Sequence, residues 1–323
     1  MTGYTDDGIT YLGAGETSKM NISRGYEFSG YTLTVSAGTL TAVEGEDDMY
    51  TLAMPSPGQN VNISLTGTLT LDLLDNDNNA SRISDNVGFT GSVRLNGRTL
   101  YKDGKWNTLC LPFDVTIADS PLNGTGVVAR TLTEASITGT TLNLTFGNPV
   151  TTLTAGVPYI IKWTKADGYD SASEETRDIK NPVFSNVTVV STLHPVENTD
   201  IDFEGSYTPV SITDIEGDNT LLYLGANNTL YWPNAPMTIG AQRAVFRLKG
   251  GITAGSPSDP NATVRAFNLK FGEDDATGII STTNCTNYTN SADAWYSLDG
   301  RKLSGKPTKK GLYINNGRKV VVK

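Results

Sequence analysis

The chain has 323 residues, a hydrophobic fraction of 37% and a formal net charge of −9, a length suited to about two ordinary domains. The acidic balance argues against nucleic acid as a partner, because phosphate binding needs a basic surface. No run reaches the ~18 consecutive apolar residues of a membrane helix, and one histidine with two cysteines falls short of the usual four ligands of a structural zinc site.

Residues 1–66 read as a Gly/Thr-rich β segment. Tyr31/Leu33/Val35 and Val61/Ile63/Leu65 alternate with hydroxyl and amide side chains, the period-two signature of half-buried strands. The N-terminus, Met1 to Asp7, lacks the basic and apolar regions of a signal peptide. If the protein is exported, its signal is expected to lie outside this sequence.

Residues 67–273 form the expected main domain. Early in it, Asp75-Asn76-Asp77-Asn78-Asn79 offers hard oxygen ligands at alternating positions, as the first half of an EF-hand loop does. The sixth position is Ala80 rather than glycine and the twelfth is Asn86 rather than a bidentate glutamate. A polar turn is therefore favoured, and Asp75, Asp77 and Asn79 stand as a weak calcium candidate. Further along, Leu142/Leu144/Phe146 and Phe267/Leu269/Phe271 repeat the strand alternation. The best helical stretch is a charged turn near Ser171–Asp178, so very little helix is expected. Cys110, in an apolar run, and the distant Cys285 are read as separate thiols.

Residues 274–323 start with a polar stretch and a Ser/Thr/Asn-rich linker at 281–291, then predict three strands, Trp295–Leu298, Gly311–Ile314 and Lys319–Val322. Asp299-Gly300 follows the first. Asn316-Gly317 joins the second to the third, a pair that tolerates the positive φ of a tight hairpin turn. Eight of the 25 basic side chains fall in residues 301–323, with no acid among them. The first 300 residues are left with 17 basic against 34 acidic groups, a net charge of −17.

The residues of this ending, from Trp295 to Leu303, Lys306 to Ile314 and Asn316 to Lys323, resemble the C-terminal module of large secreted proteins of Bacteroides-type bacteria and, more distantly, type IX secretion sorting domains. The body, through Gly97–Phe113, Ala155–Ile161, Leu221–Tyr231 and Arg243–Leu248, resembles an uncharacterised β-rich domain of the same surface proteins. The N-terminal zone, through Gly30–Gly38 and Tyr50–Pro55, looks like the end of a surface repeat of the internalin B-repeat kind. These resemblances imply an extracellular or outer cell-surface location and an adhesive or spacer role, as the terminal portion of a protein. They bring no catalytic residues.

Chemistry is constrained by what the sequence lacks. The sole histidine, His194, precedes Pro195 in an expected surface loop, and no Gly-x-Ser-x-Gly elbow supplies a serine nucleophile. Neither phosphate-loop pattern occurs in a strand-to-helix setting. A glycosidase needs only two facing carboxylates, yet no segment reads as its signature. Carbohydrate binding without catalysis fits better: Trp232, Tyr231 and Trp163 are the candidate aromatics for stacking on sugar rings, although a core or lid position is the favoured reading of Trp232 and Trp163, while Trp106 is expected in the core. The expectation is thus an all-β protein, an antiparallel β-sandwich with small flanking β modules. It is expected to be a non-enzymatic surface module that binds a glycan or extracellular protein and carries no cofactor. A ligand-free spacer, or an accessory domain of a glycan-degrading enzyme or such an enzyme itself, are the alternatives.

Overall fold

The computed structural model describes residues 4–6, 9–22, 28–46, 49–169, 178–225, 228–271, 280–281, 295–296, 307, 311–315 and 318–322. It is nearly all β, with many antiparallel ladders and no closed barrel. The chain divides into two compact units, Met1–Thr282 and Thr283–Lys323. Among the described residues, helix amounts to one turn at Ala80–Ser84, a 3-10 turn at Ile117–Asp119 and the 3-10 residue Asn228; a single turn is too short to print a 3.6-residue period in the sequence.

Three sheets of the larger unit enclose its two larger apolar clusters, and a smaller third cluster gathers Ile212, Leu221, Ile239 and Val245. The first is four-stranded, in the order Val183–Thr188, Thr90–Asn96, Ile63–Leu74, Phe28–Val35. Its inner residues Leu71, Leu73, Val93, Leu95 and Phe184 are buried in one cluster. A five-stranded antiparallel sheet places Ile201–Ser206 beside Arg243–Leu248, which in turn pairs with Leu221–Leu224. The third sheet sets Thr141–Phe146 between Leu132–Thr138 and Ala266–Lys270. These last two sheets share the second cluster, where Phe203 and Phe246 stack at 4.5 Å and Phe146 meets both edge-on. Each such buried side chain is worth roughly 1.5–3 kcal/mol of removal from water.

Between the clusters runs a short sheet of Asn107–Cys110, Pro158–Lys162 and Val128–Arg130. It is apolar on both faces: Tyr159, Ile161 and Ala129 belong to the first cluster, Ile160 and Val128 to the second. Burial on both sides is why the sequence here reads as an unbroken apolar run instead of an alternation. Close approach at its end depends on Gly205, where a Cβ would collide with Cys110 Sγ. Cys110 is a buried free thiol, as expected; Cys285 lies outside the described residues.

Two ladders are parallel, Ile63–Leu74 with Thr90–Asn96 and Thr141–Phe146 with Ala266–Lys270. The expected boundary at residue 66 falls inside the Ile63–Leu74 strand. Its first half pairs with Phe28–Val35 as an exposed ribbon, and its second half enters the body sheet. Gly30, at φ +75, sits at the irregularity where the ribbon bends, against Thr68 O. Upstream, Thr17–Asn21, Met49–Ala53 and Thr39–Ala42 form a separate three-stranded sheet.

The smaller unit contains an antiparallel sheet of Trp295–Tyr296, Gly311–Asn315 and Arg318–Val322, matching the three predicted strands. The turns Asp299-Gly300 and Asn316-Gly317, the charged turn at 171–177 and most of the 281–291 linker lie outside the described residues.

Candidate functional site

Two neighbouring hollows on the larger unit, whose linings share Thr108, Leu224 and Arg243, form the lobes of the candidate cleft. One lobe, about 270 Å3, is lined by Asp75, Tyr223 and Met237 among others. The other, about 360 Å3, is lined by Arg98, Tyr101, Asp103, Lys105, Trp106 and Asn107. One wall comes from the turns that follow Ile63–Leu74 and Thr90–Asn96, the other from the Leu221–Leu224 and Arg243–Leu248 strands.

Between the lobes stands a fork-to-fork ion pair. Arg243 Nη1 donates to Asp75 Oδ1, and Nη2 donates to Oδ2 at 3.1 Å. The pair is mostly shielded from water, where a bidentate guanidinium–carboxylate contact is at its strongest. Ala241 N also donates to Asp75 O at 2.7 Å. The turn containing Asp75 is therefore tied to the neighbouring sheet.

That arrangement engages the calcium candidates with protein partners. Asp75 faces Arg243. Asn79 is fully buried; its amide donates to Leu74 O, Asp77 O and Tyr207 O, and its Oδ1 accepts from Leu74 N at 2.8 Å. Asp77 Oδ1 accepts from Asn78 N at 2.8 Å, while Oδ2 lies 3.5 Å from Arg82. The run closes a turn in front of the Ala80–Ser84 helix. Among the described residues no group of three or more His, Cys, Asp or Glu side chains converges.

Arg98 lies deeper in the second lobe, only 5% exposed. Its Nη2 donates to Thr108 O at 2.9 Å, and its Nε is buried without a partner. Burial first, and then the neighbouring Arg243 guanidinium, lower its pKa to about 9, with Asp75 and Tyr101 acting in the opposite direction. It stays cationic at neutral pH, at a position where its charge is poorly compensated.

The aromatic candidates separate. Trp163 is 1% exposed in the first cluster, and its indole N–H donates to Leu122 O at 2.8 Å. Neither of its faces can meet a ligand: Trp163 takes the core position favoured for it, and its candidate stacking role falls away. Trp232 is half-buried against the second cluster. Tyr231 pairs across the hairpin with Tyr223, ring centroids 5.8 Å apart, and abuts Gly225 on the cleft wall. Trp106, as expected, is core: it stacks on Phe271 at 5.1 Å, with Lys162 Nζ 4.5 Å from its ring centre. Its backbone N–H donates to Asn228 Oδ1 at 2.7 Å, fastening the 224–230 loop beside the cleft. His194 is exposed in a loop, as expected.

The aromatic ring that sequence reasoning missed is Tyr101, which lines the Arg98 lobe and is 51% exposed. The Asn107 side chain holds its backbone, donating to Tyr101 O at 2.9 Å and accepting from its N–H at 3.0 Å. Carboxylates elsewhere are matched to cations instead of facing each other: Asp202 accepts from Lys249 at 2.6 Å, and Asp218 from Arg247 at 3.0 Å. A wider hollow of about 730 Å3 beneath the N-terminal sheet is lined by apolar and amide side chains such as Met20, Leu52, Met54 and Asn62, with no charged group.

Fold and cleft define an all-β protein of packed sheets with a polar groove at the sheet edges. No known protein family, curated protein or solved structure matches the chain. Among the described residues no helix is long and apolar enough to cross a membrane.

Proposed function

We propose that the protein is a non-catalytic extracellular binding module whose cleft takes a saccharide. The observation that carries this reading is the pairing of tyrosines with fixed polar groups. Tyr101 lines one lobe and Tyr223 the other, with the Arg243–Asp75 fork between them. Flat rings that cover the apolar face of a pyranose, beside rigid donors and acceptors for its hydroxyls, are the means by which shallow sites hold sugars. The outer-surface location rests on the resemblance of the C-terminal segment to modules of secreted proteins.

Screening the protein on a glycan array, followed by titration of any hit against Tyr101→Ala and Tyr223→Ala, tests the site. Each variant is expected to weaken binding roughly tenfold, the loss of about 1.4 kcal/mol of ring contact. Unchanged affinity in both variants would place binding elsewhere. Silence of the wild type on glycan and matrix-protein arrays would favour the spacer reading.

A further inference from the structure

We propose that the Arg98 lobe binds a carboxylate, so that the saccharide class suited to this cleft is an acidic one, a uronic acid or a sugar of like charge. The inference rests on the saccharide reading above and names what that site selects.

It begins from the state of Arg98. A guanidinium carries five N–H donors in a rigid fork matched to a carboxylate. At Arg98, among the described residues, one of them is used, by Thr108 O, and Nε is buried with no acceptor. Buried donors are satisfied in the great majority of proteins, and an exception of this kind calls for a missing partner. The Asp75 side chain, whose two oxygens accept from Arg243, makes no hydrogen bond to Arg98 among the described residues. Two guanidinia thus stand beside the Asp75 carboxylate, and burial first, then the Arg243 charge, lower the pKa of Arg98. A carboxylate entering the lobe would supply a further negative charge beside Arg98 and accept from the guanidinium N–H groups that line it.

The lobe's other groups suit a sugar acid. Lys105 stands at the rim, 3.6 Å from Asp103 and well exposed, able to draw an anion inward. Tyr101 offers a ring surface. The volume, about 360 Å3, lies at the small end of small-molecule sites, which favours a ring-sized ligand over an extended acidic peptide.

Titration calorimetry of the full chain with trigalacturonate and with its methyl ester decides the matter, since esterification removes the carboxylate charge and leaves the sugar rings and their hydroxyls in place. The acid is expected to bind at least tenfold more tightly than the ester. Arg98→Met should erase that preference, the acid binding no more tightly than the ester; Arg98→Gln serves as a second variant if the first fails to fold. Equal binding of acid and ester by the wild type would overturn the carboxylate inference and leave the saccharide site standing. Failure of both to bind, along with neutral oligosaccharides, would remove the saccharide site as well. Tighter binding of a tri-glutamate peptide than of trigalacturonate would overturn the inference in favour of a protein partner.

Discussion

Cys110 shows how burial alone fixes a side chain's chemistry. Packed against Gly205 in the interior, its thiol is pushed from its ordinary 9.0 to about 12 by desolvation, and burial likewise raises the nearby Tyr207 phenol. Both groups hold their protons more tightly folded than unfolded. The stability they contribute is complete below the unfolded pKa values and is lost as pH climbs through the folded ones. The urea midpoint of the wild type should therefore keep a constant offset from that of Cys110→Ala between pH 7 and about 9 and drop relative to it beyond, since the comparison cancels groups such as Arg98 whose lowered pKa acts in the opposite sense. A thiol reagent at pH 8 should leave native Cys110 unmodified and react once the chain is unfolded, because thiolate is the reactive form. Residue-scale chemistry was partly legible in the sequence. An apolar run around Cys110 announced a buried thiol, and Trp106 sat in the same run. Arg98 gave no warning, because a single arginine after Asn96-Gly97 carries no pattern, and its burial arises from strands that come together from far along the chain.

At the scale of elements, the Asp75–Asn79 turn matters more as a fastener than as a ligand set. Arg243 grips Asp75 across 168 positions of sequence, joining the end of the Ile63–Leu74 strand to the Arg243–Leu248 strand. Removing one partner strands the other charge in a mostly desolvated place. Arg243→Met or Asp75→Asn is expected to cost about 3 kcal/mol, read as a lower urea midpoint, and the double variant should cost less than the two single losses combined. Added calcium should leave the wild-type melting temperature unchanged, since Asp75 is committed to Arg243; a rise would reveal a native-state ligand. Alternation located Leu142/Leu144/Phe146 and Phe267/Leu269/Phe271 as strands, and it shows which face each buries. It could not show that these two strands pair side by side in parallel, because pairing partners leave no local trace. Val61/Ile63/Leu65 carried the same alternation, yet Ile63 and Leu65 are each 36% exposed: the ribbon leaves the body there, so apolar spacing marked a strand without a core beneath it.

Across the whole molecule, the division into Met1–Thr282 and Thr283–Lys323 places the clusters and the cleft in the larger unit. A chain ending at Thr282 should keep the far-ultraviolet spectrum of its strands and melt within a few degrees of the full chain, a ΔΔG below about 1 kcal/mol. A loss of cooperative melting would show that the larger unit depends on residues 283–323. The β class was legible from composition and turn residues, and the last three strands from their turn pairs. A separate N-terminal module was harder to delimit, since the strand that crosses residue 66 belongs to both its ribbon and the body sheet.

The parallel pairing of Thr141–Phe146 with Ala266–Lys270 has a consequence in time. Asn143 accepts a hydrogen bond from Asn268, 125 residues later, so this ladder cannot close until the residues between its two strands have been synthesised. Until then Leu142, Leu144 and Phe146 lack the strand that completes their sheet. Contacts of such long sequence separation slow folding, and the larger unit should reach its native state late, as a nearly complete chain rather than strand by strand.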